Sequence, residues 1–267
     1  MDDYLSASRQ IEVLQLLLFR HCGDRLIEPI LWILTVEEIV SGQVLLVDKP
    51  LEWTSYQAVA KIKYALQKVT GKKKLKVGHA GTLDPLATGL LIICVGKKTK
   101  EISDFMGLPK EYVAQVKLGA TTPSYDLESA IDAEFPTDHI HLEAIAEALK
   151  AFTGEISQVP PIFSAIKKDG VRAYEKARAG EEIIMAPRQV VIHELEILSY
   201  TDQLLELRVL CSKGTYIRSL AHDIGKALNS GGHLVGLRRT KIGSYEASNG
   251  KGPNDWAQYF FDEVASA

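Results

Sequence analysis

The sequence predicts an α+β fold built on a mixed sheet. Helix-like and strand-like segments interleave along the chain, and the strand segments Val190 to Tyr200 and Leu204 to Cys211 are separated only by the turn Thr201-Asp202-Gln203. No long Pro/Gly/Ser linker divides the sequence, so one main domain is expected.

Residues 1–41 form an extension before the first clear strand. It begins Met-Asp-Asp, without the basic start of a secretory signal, and its apolar pieces (Leu14 to Phe19, Ile30 to Val36) are interrupted by Arg20, His21, Asp24, Arg25 and Glu28. Neither piece approaches the ~20 apolar residues of a membrane span, so one or two amphipathic helices are expected, in a cytoplasmic protein with no membrane contact.

From Gln43 the punctuation sharpens. Gln43 to Asp48 reads as a short buried strand stopped by Lys49-Pro50. Thr54 or Ser55 can cap a helix carrying Ala58, Val59, Ile62, Leu66 and Val69 on one face. A lysine-rich loop and a Gly-rich stretch follow. Leu90 to Val95 is a continuous apolar run, expected to be a strand buried on both faces. Tyr112 to Leu118 alternates as a strand, and Thr137 or Asp138 should cap a helix running to Phe152. After the paired strands come a helix over Thr215 to Leu228 and a last strand over Lys241 to Tyr245. The domain is therefore bounded at 42–248, leaving 249–267 as a short tail.

Composition narrows the class without naming it. The chain has 267 residues, 46% apolar and 24% charged, an ordinary globular balance rather than a disordered one. A net charge of −3 neither favours nor forbids nucleic acid, because phosphate attraction is local. Cys22, Cys94 and Cys211 are odd in number and far apart, which suits reduced thiols in a cytoplasm and not a zinc site.

Charge distribution is more informative. Between Lys61 and Lys100 the sequence carries ten lysines and a single acid, Asp84. The cluster Lys72 to Lys76 suits a solvated loop or a surface displacing counterions from a phosphate backbone. Asp84 sits in Gly78-His79-Ala80-Gly81-Thr82-Leu83-Asp84-Pro85-Leu86-Ala87-Thr88-Gly89, where flanking glycines permit tight turns and close ligand approach. A basic surround would favour an ionised nucleophile, and the same residues equally suit a loop in which Asp84 caps a helix.

That stretch resembles the signature of the TruB family of tRNA pseudouridine-55 synthases. Further blocks resemble the family in the same order over roughly 43–245: Lys49-Pro50 with Trp53-Thr54-Ser55; Lys110-Glu111-Tyr112 with Leu118-Gly119 and Thr122 to Asp126; Gln158 to Pro161 with Phe163 to Lys167; Cys211 to Arg218; and Leu237-Arg238-Arg239-Thr240. The resemblance implies the pseudouridine synthase fold, with a mixed, mainly antiparallel sheet flanked by helices and loops. It implies Asp84 as nucleophile, Tyr112 stacking on the flipped uracil, Arg218 pairing with Asp84, and Tyr216 and Leu237 lining the pocket. It places His79 against the rearranged nucleotide or its neighbour, Asp126 near the base, and Lys49 and Lys100 among the substrate contacts. The substrate would be the T-arm stem-loop of tRNA, with no cofactor, no metal and no protein partner required. A basic insertion over Pro160 to Gly180, bearing Lys167, Lys168, Arg172, Lys176 and Arg178, could close on that stem-loop. Two positions depart from the pattern: Glu52 and Ser129 stand where the family often has glycine.

Other readings fit less well. Gly89 and Gly96-Lys97-Lys98-Thr99 fail the phosphate-loop spacing. The H-x-E and P-C-x-x-C elements of a zinc deaminase are missing, His139 and His141 lack a third ligand, and the Asp84 loop offers one carboxylate where a glycosidase needs two. A non-enzymatic tRNA-folding module, or a synthase acting on other RNAs, remains as the alternative, and the former would tolerate loss of Asp84.

Overall fold

The computed structural model describes residues 35–163 and 185–264, with the backbone of 167–168 and 171–172. The helices expected within 1–34, Cys22, and the basic side chains of the 160–180 insertion lie outside the described residues. In chain order the elements are α1 (Val36–Ser41), β1 (Val44–Lys49), α2 (Ser55–Thr70), β2 (Val77–His79), β3 (Ala87–Val95), a 3₁₀ turn (Gly96–Glu101) and α3 (Ile102–Gly107). Then come β4 (Lys110–Leu118), β5 (Ala120–Thr121), β6 (Ala133–Glu134), α4 (Leu142–Leu149) and β7 (Gly154–Gln158). The short pair β8 (Lys167–Lys168) and β9 (Val171–Arg172) precedes β10 (Arg188–Thr201), β11 (Leu204–Cys211), α5 (Ile217–Ala227), β12 (Gly232–Ile242), β13 (Tyr245–Glu246) and α6 (Pro253–Tyr259).

A nine-stranded sheet in the order β1-β3-β12-β4-β11-β10-β7 organises the molecule, with β2 beside β3 and β13 beside β12. Among the described strands β3 and β12 pair parallel, and the other pairings of this sheet are antiparallel. This is the mixed, mainly antiparallel α+β sheet that the resemblance implied. Strand β3 shows why its sequence is unbroken in apolar character. Leu91, Ile93 and Val95 enter one core cluster with α2 and α6, while Leu90, Ile92 and Cys94 enter another on the opposite face. Cys94 and Cys211 are buried free thiols.

Helix α2 begins at a capping box, with the Gln57 N–H donating to Thr54 Oγ1 (3.1 Å) and the Thr54 N–H to Gln57 Oε1 (2.7 Å). Thr54 therefore takes the cap, and the Ser55 hydroxyl is left for another task. Hydrophobic Ala58, Ile62, Ala65 and Leu66 bury one face, and Gly71 closes the helix in the left-handed region (φ 66°).

Four expectations shift. The helix expected from Thr137 or Asp138 begins at Leu142, because the Ile140 N–H closes a turn onto Thr137 O (2.9 Å) and buries Ile140 first. The last strand expected over Lys241 to Tyr245 is the end of the long β12, a reversal at Gly243 (φ 55°), and β13. Bulges between Leu234 and Gly236 and between Arg239 and Lys241 break the period-two pattern that would have marked β12. Residues 249–264 are more than a tail, since Ala257 of α6 and Phe260 and Val264 of the turn after it pack into the core with α2 and β1. Ile39 of α1, assigned to the extension, joins the same cluster. Among the described residues no helix is long and apolar enough to cross a membrane.

Candidate active site

Asp84 lies on the turn that enters β3, and distant parts of the chain hold that turn in place. The Ser55 hydroxyl donates to Leu83 O (3.0 Å) and accepts from the Leu83 N–H (2.9 Å). The Glu52 N–H donates to Pro85 O at 2.9 Å, and the Ala87 N–H closes the turn onto Asp84 O at 3.1 Å. Arg239, 1% exposed, sends Nη2 to Gly81 O (3.1 Å), Nη1 to Thr82 O (3.5 Å) and Nε to Leu90 O (2.7 Å). Its strand must come close to β3 to do this. A Cβ built on Gly89 (φ 101°) would stand 2.2 Å from Arg239 O, so glycine is required there.

The Asp84 carboxylate is 39% exposed, and Arg218 meets it from a side chain only 6% exposed, Nη2 to Oδ2 at 3.0 Å. The same guanidinium reaches Asp126 Oδ2 through Nη1 at 3.5 Å and donates to the carbonyls of Ser124 (3.3 Å) and Phe163 (2.9 Å). Arg218 thus joins an open carboxylate to a buried one, holding Asp84 oriented while Asp126 balances its charge. The Asp126 loop is set in turn by Ser129, whose Oγ accepts from the Ser124 N–H (3.0 Å) and shares a 2.7 Å contact with Ser124 Oγ. The departure from glycine at 129 adds a fastening here.

Around Asp84 opens a cleft of about 680 Å³, lined among others by Tyr112, Tyr216, Arg218, Leu237 and Arg239. Tyr112 on β4 is 9% exposed, and burial pushes its phenol above the usual value. Tyr216 caps α5, and Gln158 clamps its backbone, Oε1 accepting from the Tyr216 N–H (2.8 Å) and Nε2 donating to Tyr216 O (3.0 Å). Arg188 lies over the Tyr216 ring at 4.4 Å. An aromatic wall, a presented carboxylate and a buried cation suit a planar base brought beside a nucleophile.

Family models cover most of the described chain. The model of the TruB family pseudouridylate synthase N-terminal domain matches residues 67–217, and that of the tRNA pseudouridylate synthase B C-terminal domain matches residues 218–252. The chain belongs to the TruB family. It is similar to the tRNA pseudouridine synthase B of Flavobacterium johnsoniae, 62% identical over 81% of this chain and 95% of that one. That of Phocaeicola vulgatus is 57% identical over 76% and 86%. Among solved structures, one chain of an H/ACA RNP bound to a substrate RNA containing 2′-deoxyuridine aligns with a TM-score of 0.60, 28% identity and coverage of 84% of this chain. A chain of a Cbf5-Nop10-Gar1 complex aligns at 0.59, 31% identity and 79% coverage. The present chain spans about half of those two, 54% and 52%.

Of the residues expected from TruB resemblance, Asp84, Tyr112, Tyr216, Arg218 and Leu237 line one cleft, and Asp126 sits behind it on Arg218. Three are placed elsewhere. Lys49 is wholly buried, its Nζ donating to the carbonyls of Pro50 (3.0 Å), Trp53 (2.6 Å) and Pro85 (3.3 Å), which fastens the Asp84 turn. Burial lowers its amine to about 8, against the upward pull of Asp84. His79 lines a separate cavity beside α2, and burial lowers its imidazole below the usual value. Lys100 is exposed in the 3₁₀ turn after β3 and does not line the cleft; Ser103, three residues on, does.

The basic neighbourhood is also redistributed in this TruB fold. The Gly96 N–H donates to Lys76 O (2.9 Å), which gathers the two lysine-rich loops at the end of β3 far from Asp84. Eight residue steps at ~3.3 Å put them roughly 26 Å along the strand. Among the described cations, Arg218 pairs with Asp84, Lys49 feels its charge, and Arg239 grips the carbonyls of Gly81 and Thr82 beside it. Of these Arg239 lay inside a family block but carried no expected role, and Ser55 and Gln158 were missed in the same way. Among the described residues no group of three potential ligands could hold a metal ion. His139 instead bonds Leu228 O (2.8 Å), and His141 precedes α4.

Glu52 takes the left-handed conformation (φ 66°) that a glycine would occupy without strain. Glu52→Gly should be neutral or stabilising by up to ~1 kcal/mol, while Glu52→Val should cost ~1–2 kcal/mol. Urea midpoints at constant slope check the pair; equal midpoints for the two variants would contradict the strain.

Proposed function

We propose that the protein isomerises uridine to pseudouridine at position 55, in the T loop of tRNA. The observation that carries this reading is the Asp84–Arg218–Asp126 bridge at the floor of a cleft walled by Tyr112, Tyr216 and Leu237. The reaction breaks the C1′–N1 bond, rotates the uracil, and rejoins C5 to C1′, with a proton leaving C5 and another arriving at N1. A stacked uridine cannot be reached, so it is extruded, and stacking on an aromatic face such as Tyr112 returns ~1–3 kcal/mol of the cost. Asp84 acts as the nucleophile and Arg218 orients its carboxylate. Tyr216 and Leu237 hold the base in plane. Asp126 acts through Arg218, and Lys49, Ser55 and Arg239 act by keeping the Asp84 turn rigid.

The T-arm stem-loop is the part of the substrate recognised. Lys72, Lys73, Lys74, Lys76, Lys97 and Lys100 are exposed near one end of β3 and offer phosphate contacts at a distance from the chemistry. Binding of an unmodified tRNA transcript should weaken roughly tenfold or more between ~50 and ~200 mM salt. Pseudouridine mapping of that transcript after incubation should show conversion at the T-loop uridine and nowhere else. Tight binding with no converted uridine would replace this reading with that of a tRNA-folding module. Conversion at other sites would reassign the substrate.

A further inference from the structure

We propose that Tyr125 and His222 are positioning residues for the reaction: their stacked rings fasten the Asp126 loop to α5 one turn beyond Arg218, which fixes the angle at which the Arg218 guanidinium meets Asp84. The rings lie nearly parallel, with centres 4.1 Å apart and planes 17° from each other. This deepens the proposed function and rests on it.

The same loop and the same helix are joined twice. Arg218 and His222 stand four residues apart on α5, so they share a face at successive turns. Tyr125 and Asp126 are adjacent in the loop that follows β5. Arg218 holds this loop through Nη1 alone, at 3.5 Å from Asp126 Oδ2 and 3.3 Å from Ser124 O. Both distances lie beyond the usual N–H···O range, and such contacts leave a guanidinium room to rock. A second tie one turn along the helix removes that freedom, because two flat rings in face contact resist tilting of the loop against α5.

The backbone shows that the tyrosine is kept for its ring. Tyr125 sits in the left-handed region (φ 61°), which a residue with a Cβ adopts under strain. Its N–H closes a turn onto Thr122 O (3.1 Å) and its carbonyl accepts from the Leu234 N–H (2.9 Å), bonds that a glycine would make equally well. The ring is not used in the core. Ile217, Leu220, Ala221 and Ile224 of α5 enter a buried cluster, and Tyr125 belongs to none of those among the described residues. Neither ring lines the Asp84 cleft or the smaller cavity behind it, so both act through Asp126 and Arg218 rather than by touching the base. The imidazole is fitted to the same task. Its Nδ1 is buried with no hydrogen-bond partner, so the stack orients the ring where that nitrogen does not. Burial, with Lys226 one turn further on, lowers His222 below its ordinary value, and the ring is neutral where it stacks.

The test uses the full chain and a T-arm stem-loop RNA. Tyr125→Gly removes the ring and suits the left-handed backbone, so it should unfold in urea near the wild-type midpoint. Its single-turnover rate at saturating RNA should fall ~10- to 100-fold with Kd within about threefold of wild type, the scale on which a displacement of ~1 Å at a catalytic group costs rate. His222→Ala should do the same. Tyr125→Phe keeps the stack and should return the rate to within about threefold of wild type. In an Asp126→Asn background, Tyr125→Gly should lower the rate less than about threefold further, since the tie it breaks works through Asp126. A wild-type rate in Tyr125→Gly, a loss that Tyr125→Phe does not restore, or losses that multiply in the double variant would each overturn the positioning role. No conversion by wild type overturns the reaction and this role with it, whereas equal conversion by wild type and Tyr125→Gly overturns the role alone.

Discussion

Asp84→Asn should lower pseudouridine formation by ~10⁴-fold or more, the scale reached when a covalent nucleophile is removed, while leaving RNA affinity within about threefold. Asparagine keeps the size and one acceptor oxygen of aspartate, so Arg218 retains a partner at 84 and its contacts to Asp126, Ser124 and Phe163. The turn itself is held through the backbones of Gly81 to Pro85 and does not depend on the charge of residue 84. Stability should therefore shift by no more than ~1 kcal/mol, as for other partly exposed ion pairs. Single-turnover rates at saturating RNA, set beside a binding isotherm, separate the two effects. A variant that isomerises at near wild-type rate would remove Asp84 from the chemistry.

Arg218→Met should reduce both rate and stability, because one guanidinium serves both. Its loss strands Asp126, itself 3% exposed, with only the Glu128 N–H on Oδ1 (2.9 Å). An unpaired buried carboxylate of this kind costs ~3–5 kcal/mol. The rate should fall ~10²–10³-fold at temperatures where the variant stays folded, since Asp84 loses its orienting donor. Arg218→Lys should recover part of the stability and little of the rate. A single ammonium cannot span Asp84 and Asp126 while also reaching the carbonyls of Ser124 and Phe163. Urea unfolding and single-turnover kinetics on the same preparations give the two numbers. Wild-type kinetics in Arg218→Met would show that the bridge is structural only.

Much of this was legible in residue order. Strand β3 announced itself through an apolar run buried on both faces, β10 and β11 through a three-residue turn, and α2 through Thr54 and its periodicity. The cluster of Asp84, Tyr112, Tyr216, Arg218 and Leu237 became legible through ordered blocks that resemble one family. What escaped has a physical pattern. Strand β12 contains two bulges, so its burial does not alternate in sequence. The fasteners of the Asp84 turn act on main-chain carbonyls and amides, which carry no side-chain signature, so the contacts of Ser55, Arg239 and Lys49 emerge only in three dimensions. The lysine-rich window misled because adjacency in sequence is not adjacency in space along a nine-residue strand.

The reach of Arg239 also bears on when the protein can first work. Its Nε bonds Leu90 across 149 residues of chain, and its strand pairs parallel with β3. At ~5–20 residues per second a ribosome needs roughly 7–30 s to make the intervening chain. Of the groups that hold the Asp84 turn, Lys49, Glu52 and Ser55 are made before it and Arg239 only at the end of that interval. The full set of fasteners is therefore complete late, when β12 slots between β3 and β4.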